Sequence, residues 1–131
     1  PFLVSSSVIL IMAQRLARKI CKECEKEEEK FPLPTLISLG FSEEDARTVK
    51  CYRGKGCSVC NNSGYKGRIA LYEIMVVNEE IRKLILEGAS ATELKGAAIR
   101  DGMKTLRKSG LTKVKEGVTT IEEVLRVTFG D

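Results

Sequence analysis

Four of the five cysteines fall in two C-x₂-C pairs, Cys21-Lys22-Glu23-Cys24 and Cys57-Ser58-Val59-Cys60, with 32 residues between them. A C-x₂-C turn brings both sulfurs to one side of the chain, and two such turns complete a tetrahedral Cys₄ set at metal–sulfur distances of about 2.3 Å. Four protein ligands leave no position for water, so the chemistry is structural: an ion, zinc first among candidates, crosslinks a long loop. Four thiolates outweigh a dication, and the resulting negative centre needs N–H donors and nearby cations. Arg53, Lys55 and Lys66 can supply the cations, while Gly56 and the run Asn61-Asn62-Ser63-Gly64 allow close amide approach to sulfur. Cys51 stands outside the pattern and reads as a small buried hydrophobe.

Other cysteine chemistries remain open at this level. Paired disulfides would want a secretory context, and no signal peptide is recognisable. A thioredoxin-type redox pair would want a βαβ pattern that the flanking sequence lacks. An iron–sulfur cluster uses the same ligand type. The chain has no histidine, which removes His-dependent triads, His general bases and Cys₂His₂ fingers. Its net charge is +4, too small to argue for nucleic acid. Between Lys50 and Arg68, however, every charged residue is basic: Lys50, Arg53, Lys55, Lys66 and Arg68. Tyr52 and Tyr65 lie among them, so an independent zinc ribbon stacking on single-stranded nucleic acid is the rival to a thiolate shell. The reading adopted is the shell, without nucleic acid as a partner.

The elements that must position these sulfurs are a mixed set. Apolar residues make up 43% and charged residues 31% of 131, with no Trp, which suits a globular chain with an aliphatic core. Residues 1–13 are apolar but interrupted by three serines, too short to span a membrane. They read as a buried helix over Ser5–Ala13 belonging to a larger domain, so the chain reads as a fragment. Gln14–Cys21 suits either a continuation of that helix or a strand into Cys21. Pro32 and Pro34 punctuate an irregular excursion, and Ser42-Glu43-Glu44-Asp45 opens a short helix to about Lys50. Arg68–Val77 is apolar on both faces, as a buried strand would be. Beyond it the punctuation is helical. Asn78 caps a first helix, and Ser90 with Glu93 forms a capping box. A helix over Met103–Glu116 is interrupted at Gly110, and Thr119/Glu122 or Thr120/Glu123 starts the last one.

Together these pieces resemble one family, the secretion ATPases that drive type IV pilus assembly and type II secretion. The resemblance rests on PFLVSSS with AQRLARKIC, the two Cys pairs, KGCSVCNNSGYKGRIALYEIM, and GVTTIEEVLRVT, spread in order over essentially the whole chain. The Cys57–Met75 wording stands nearest the pilus-assembly branch. The resemblance implies a hexameric P-loop motor at the cytoplasmic face of the bacterial inner membrane. Its partners would be neighbouring subunits and an inner-membrane platform protein. It further implies an α+β fragment of a RecA-like C-terminal ATPase domain. Its parts would be core remnants at 1–20, a tetracysteine zinc subdomain at 21–67 with Cys21, Cys24, Cys57 and Cys60 as ligands, a core strand at 68–77 and a helical bundle at 78–131. Arg68 in GYKGR matches a family arginine near the nucleotide; a strand-start ion pair or a place in the thiolate shell accounts for it equally well. The motif G-x₄-GK[ST] is absent, so no phosphate cradle is present, and ATP and Mg²⁺ belong to the parent motor. The fragment alone is expected to be catalytically inactive, with a structural and coupling role.

Overall fold

The computed structural model describes residues 10–27 and 31–128. Among the described residues ten elements follow in chain order: β1 (Leu10–Ile20), β2 (Glu25–Glu27), α1 (Leu33–Leu39), α2 (Glu43–Thr48), β3 (Tyr52–Gly54), β4 (Tyr65–Val76), α3 (Glu79–Leu86), α4 (Ala91–Arg100), α5 (Leu106–Lys115) and α6 (Ile121–Val127). The mixed helix-and-strand class expected from sequence is what the chain adopts. β1 and β4 form one two-stranded sheet, and β2 and β3 another.

The chain divides into two compact units. One joins residues 10–14 to Tyr72–Thr105, and the other joins Arg15–Leu71 to residues 106–128. The C-terminal helices divide accordingly, α3 and α4 in the first unit, α5 and α6 in the second.

In the first unit, α3 and α4 are built on their caps. The Asn78 side chain accepts from Ile81 N–H at 3.0 Å, and Ser90 accepts from Glu93 N–H at 3.2 Å while the Glu93 carboxylate returns to Ser90 N–H. Val77, Ile81, Ala97 and Ala98 make the buried cluster between them, with Met75 of β4 packed against it. β4 is therefore covered on one face within this unit. Tyr72, Ile74 and Val76, at 44%, 45% and 61% exposure, correct the expectation of a strand buried on both sides. An unbroken apolar run marks a buried strand only when both faces meet other elements.

In the second unit, Leu36 of α1, Ala46 of α2, Leu111 and Val114 of α5 and Ile121 and Val124 of α6 share one aliphatic cluster. Cys51 is buried in the same cluster, as its sequence reading expected. Gly110 does not interrupt α5, contrary to expectation. It lies inside the helix because a Cβ there would stand 2.6 Å from a Val124 methyl, so close packing outweighs the weak helix propensity of glycine. The helix expected over Ser5–Ala13 is corrected from Leu10 onward, where the chain is strand; residues 5–9 lie outside the described residues. A short aliphatic run fits both periods, and pairing with β4 decides the outcome.

Candidate metal centre

Backbone hydrogen bonding brings the two C-x₂-C turns together. β2 follows Cys24 and β3 precedes Cys57, and the two pair antiparallel with Glu25 opposite Gly54 and Glu27 opposite Tyr52. The Lys55 N–H extends the ladder by donating to the Cys24 carbonyl at 3.0 Å. On the other side Cys21 N–H donates to the Gly64 carbonyl at 2.9 Å. Gly54 and Gly64 cross closely enough that a Cβ on Gly54 would collide with the Gly64 backbone. The loop after Cys60 turns through left-handed residues, Asn61 at φ 54° and Asn62 at φ 62°, with Gly64 at φ 82°. Asn is the side chain that best tolerates that region after glycine, which is the local reason for the run Asn-Asn-Ser-Gly.

The four sulfurs converge within 4.8 Å of one another. Cys21 Sγ lies 3.8 Å from Cys57 Sγ, Cys24 Sγ 3.8 Å from Cys60 Sγ, and Cys57 Sγ 3.6 Å from Cys60 Sγ. A tetrahedron drawn around one ion at metal–sulfur distances of about 2.3 Å has edges of about 3.8 Å. The donor set therefore fits a single ion. A multi-iron cluster would hold its thiolates farther apart, and the sulfurs are unbonded to one another. All five cysteines are thiols.

Three backbone N–H groups point at sulfur: Gly56 to Cys24 at 3.3 Å, Cys57 to Cys60 at 3.3 Å and Gly64 to Cys60 at 3.2 Å. Gly56 and Gly64 are donors of the kind expected from Gly56 and the Asn-Asn-Ser-Gly run; the Cys57 N–H is an additional one. Their effect is visible in acidity. Burial disfavours the Cys60 thiolate, but the N–H groups of Gly64 and Cys57, together with the Cys57 and Cys24 thiols, outweigh it and bring the thiol down to about 6. Burial dominates at Cys24, where one N–H, from Gly56, opposes it, and that thiol is pushed up to about 12. Amide donors that favour a thiolate at Cys60 prepare the group for a cation, whose charge then draws the remaining protons off.

Cys51 contributes no sulfur to the group. Arg53, Lys55, Lys66 and Arg68 are all exposed. Arg68 lies three residues into β4 rather than at its start. The residue that sequence reasoning undervalued is Glu123, buried to 1% exposure. Its N–H is capped by Thr120 Oγ1 at 3.1 Å, which settles the choice between the two Thr/Glu pairs. Its carboxylate does not close a capping box. It accepts instead from Arg18 N–H at 2.7 Å, from the Arg18 guanidinium at 2.8 Å and from Arg126 at 2.7 and 2.9 Å. Burial would raise its pKa, yet the Arg126 and Arg18 donors outweigh burial and hold it at about 2.

A model of the family described as type II/IV secretion system protein matches residues 1–126. The chain belongs to that family. Within the type II/IV secretion family it is 48% identical over 129 residues to the type IV pilus assembly ATPase PilB of Thermus thermophilus, covering 98% of this chain and 14% of that protein. It is 47% identical over 131 residues to PilB of Myxococcus xanthus, covering all of this chain and 23% of that protein. To the type II secretion system protein E of Aeromonas hydrophila it is 37% identical over 131 residues, covering all of this chain and 25% of that protein. The chain spans about a quarter or less of the length of these relatives. No helix among the described residues is long and apolar enough to cross a membrane.

Proposed function

We propose that this chain is the zinc-binding, motion-transmitting part of a hexameric ATPase that powers type IV pilus assembly. The observation that carries the reading is the set of four sulfurs at single-ion spacing in a chain 48% identical to a pilus assembly ATPase. Cys21, Cys24, Cys57 and Cys60 would hold the ion, and zinc, when bound, supplies a closed tetrahedral crosslink with no open position for chemistry. The higher identity to the pilus assembly ATPases than to the type II secretion protein E of Aeromonas favours extension of a pilus over secretion as the parent's task.

ATP binding and hydrolysis fall to parts of the parent that carry a phosphate cradle, in a RecA-like core to which β1 and β4 would belong. The expected surroundings are neighbouring subunits and a platform protein at the cytoplasmic face of the inner membrane. Arg68, exposed on β4, would stand near the nucleotide on the strength of the family resemblance alone, with an ion pair or a place in the thiolate shell as the equal alternative.

Two measurements test the reading. Elemental analysis of the purified chain is expected to return one zinc and no iron. Thiol titration should find four thiols protected until the metal is chelated, with Cys51, 7% exposed, reacting only as its core opens. In the full-length motor, Cys57→Ser is expected to lower ATPase-coupled pilus extension. Unchanged assembly, hydrolysis and extension would remove the coupling role.

A further inference from the structure

Of the four paths by which the chain leaves the cysteine cluster, β2 and β3 pair with each other and the outer two run onto one short segment. β1 ends at Ile20, directly before Cys21, and β4 begins at Tyr65, directly after Gly64. Ile20 N–H donates to the Val118 carbonyl at 2.9 Å, and Thr119 Oγ1 donates to the Arg18 carbonyl at 2.7 Å. The same Arg18 gives both its backbone N–H and its guanidinium to Glu123. From the other path, the Tyr65 hydroxyl shares a 2.8 Å hydrogen bond with Thr120 Oγ1. The Arg18 guanidinium stacks on the Tyr65 ring at 4.3 Å, joining the two paths to each other. Residues 118–123 thus grip the chain on either side of the sulfurs, about a hundred residues away in sequence from Arg18.

We infer that Glu123, acting through Arg18 and beside the Tyr65–Thr120 bond, is a positioning residue for the four-cysteine metal centre. The inference rests on the zinc reading above and deepens it. Two sulfur turns far apart in sequence must lose loop entropy before one ion can hold both. The clamp removes part of that entropy in the fold itself by holding the outer flanks of the two turns near each other, and the ion then orders the turns. A buried carboxylate between two half-exposed arginines contributes little net stability over an apolar replacement, so the direction of its hydrogen bonds, more than its stability, is what the site would use. Three of the five hydrogen bonds to its carboxylate come from Arg18, on the strand that delivers Cys21. Partners that orient metal ligands from outside the ligand set change metal affinity by about 10–100-fold when removed.

The test uses the whole chain loaded with zinc and reads the rate at which a chelating dye in excess takes the metal. Glu123→Gln keeps the shape and removes the charge; it is expected to release zinc about tenfold faster. Tyr65→Phe removes one hydroxyl and is expected to quicken release roughly threefold. Leu36→Ala, in the aliphatic cluster of the same unit and outside the clamp, should cost more stability yet stay within about twofold of the parent rate well below its melting point. Cobalt loaded in place of zinc gives a second readout, since its visible d–d bands should move in Glu123→Gln and not in Leu36→Ala.

Unmoved release and unmoved bands in Glu123→Gln overturn the clamp while leaving the zinc reading intact. Release accelerated equally by Leu36→Ala overturns it as well, since loss of stability alone would then suffice. Should Glu123→Gln fail to fold, Tyr65→Phe decides, and parent-like release from it overturns the clamp. An unsubstituted chain that holds no zinc removes both readings together.

Discussion

The α3–α4 pair and the cysteine region solve the same problem by opposite means. In the helix pair Val77, Ile81, Ala97 and Ala98 are buried, and each helix begins on a side-chain cap. Burial of aliphatic surface at about 25 cal/mol per Å² holds such a pair together without help. Among residues 21–27 and 52–64 the buried ones are Cys21, Cys60 and Gly64, and no Leu, Ile, Val or Phe is among them. Here glycines let backbones cross and amides face sulfur, which prepares the site but supplies little driving force. A chain can afford so thin a region where an ion bonds its ligands, because structural zinc contributes on the order of 10 kcal/mol in small peptides.

The largest expected effect separates the two regions outright. Chelation of the metal, or Cys60→Ser, should abolish hydrogen-exchange protection at Gly56, Cys57 and Gly64 while leaving the α3 and α4 amides protected. Cys60 is the sharper substitution, since its sulfur accepts from two N–H groups. Equal protection of Gly56 and Gly64 with and without chelator would break the contrast.

The reverse experiment is smaller and opposite in address. Ile81 is fully buried, and Ile81→Ala should cost the helix pair about 3 kcal/mol, through lost transfer energy and the cavity left behind. Zinc content should remain one per chain. A melting curve followed at α3–α4 probes should shift, while the chelator-release rate should not. Loss of zinc in this variant would show that the metal centre leans on the helix pair after all.

How much could be read beforehand follows the same division. The caps at Ser42, Asn78 and Ser90, and the last one to within Thr119 or Thr120, were legible because a cap is a local device: a side chain and an N–H three residues on. The sulfur set was legible because ligand spacing is local too. What the sequence hid was set by partners far away in the chain. Leu10–Ile20 is a strand through its pairing with β4, whose nearest residue lies 45 positions on. β2 and β3 are polar three-residue strands, Glu25–Glu27 and Tyr52–Gly54, with no alternation to read. α1 was hidden for a different reason: Pro32 and Pro34 suggest loop, yet Pro32 is its N-cap and Pro34 falls in its first turn, where a missing N–H costs nothing. Glu123 shows the boundary within one residue. Its N–H follows the local capping rule, while its carboxylate answers to Arg18, 105 residues earlier.

The smallest prediction compares two caps of the same kind in the two regions. Ser90 accepts from Glu93 N–H, and Thr120 accepts from Glu123 N–H; replacing either with Ala should cost about 1 kcal/mol by loss of the cap. Their consequences for the metal should differ. The Ser90 hydroxyl bonds only within its own box, to Glu93, so Ser90→Ala should leave zinc release at the parent rate. Thr120 Oγ1 also meets the Tyr65 hydroxyl, so Thr120→Ala frees the path that leaves the sulfurs through Gly64 and should release zinc faster at matched stability. Equal release from the two variants would mean that residues 118–123 stabilise the second unit without reaching the sulfurs. A difference confined to Thr120→Ala would place the control of the ion in the C-terminal turn.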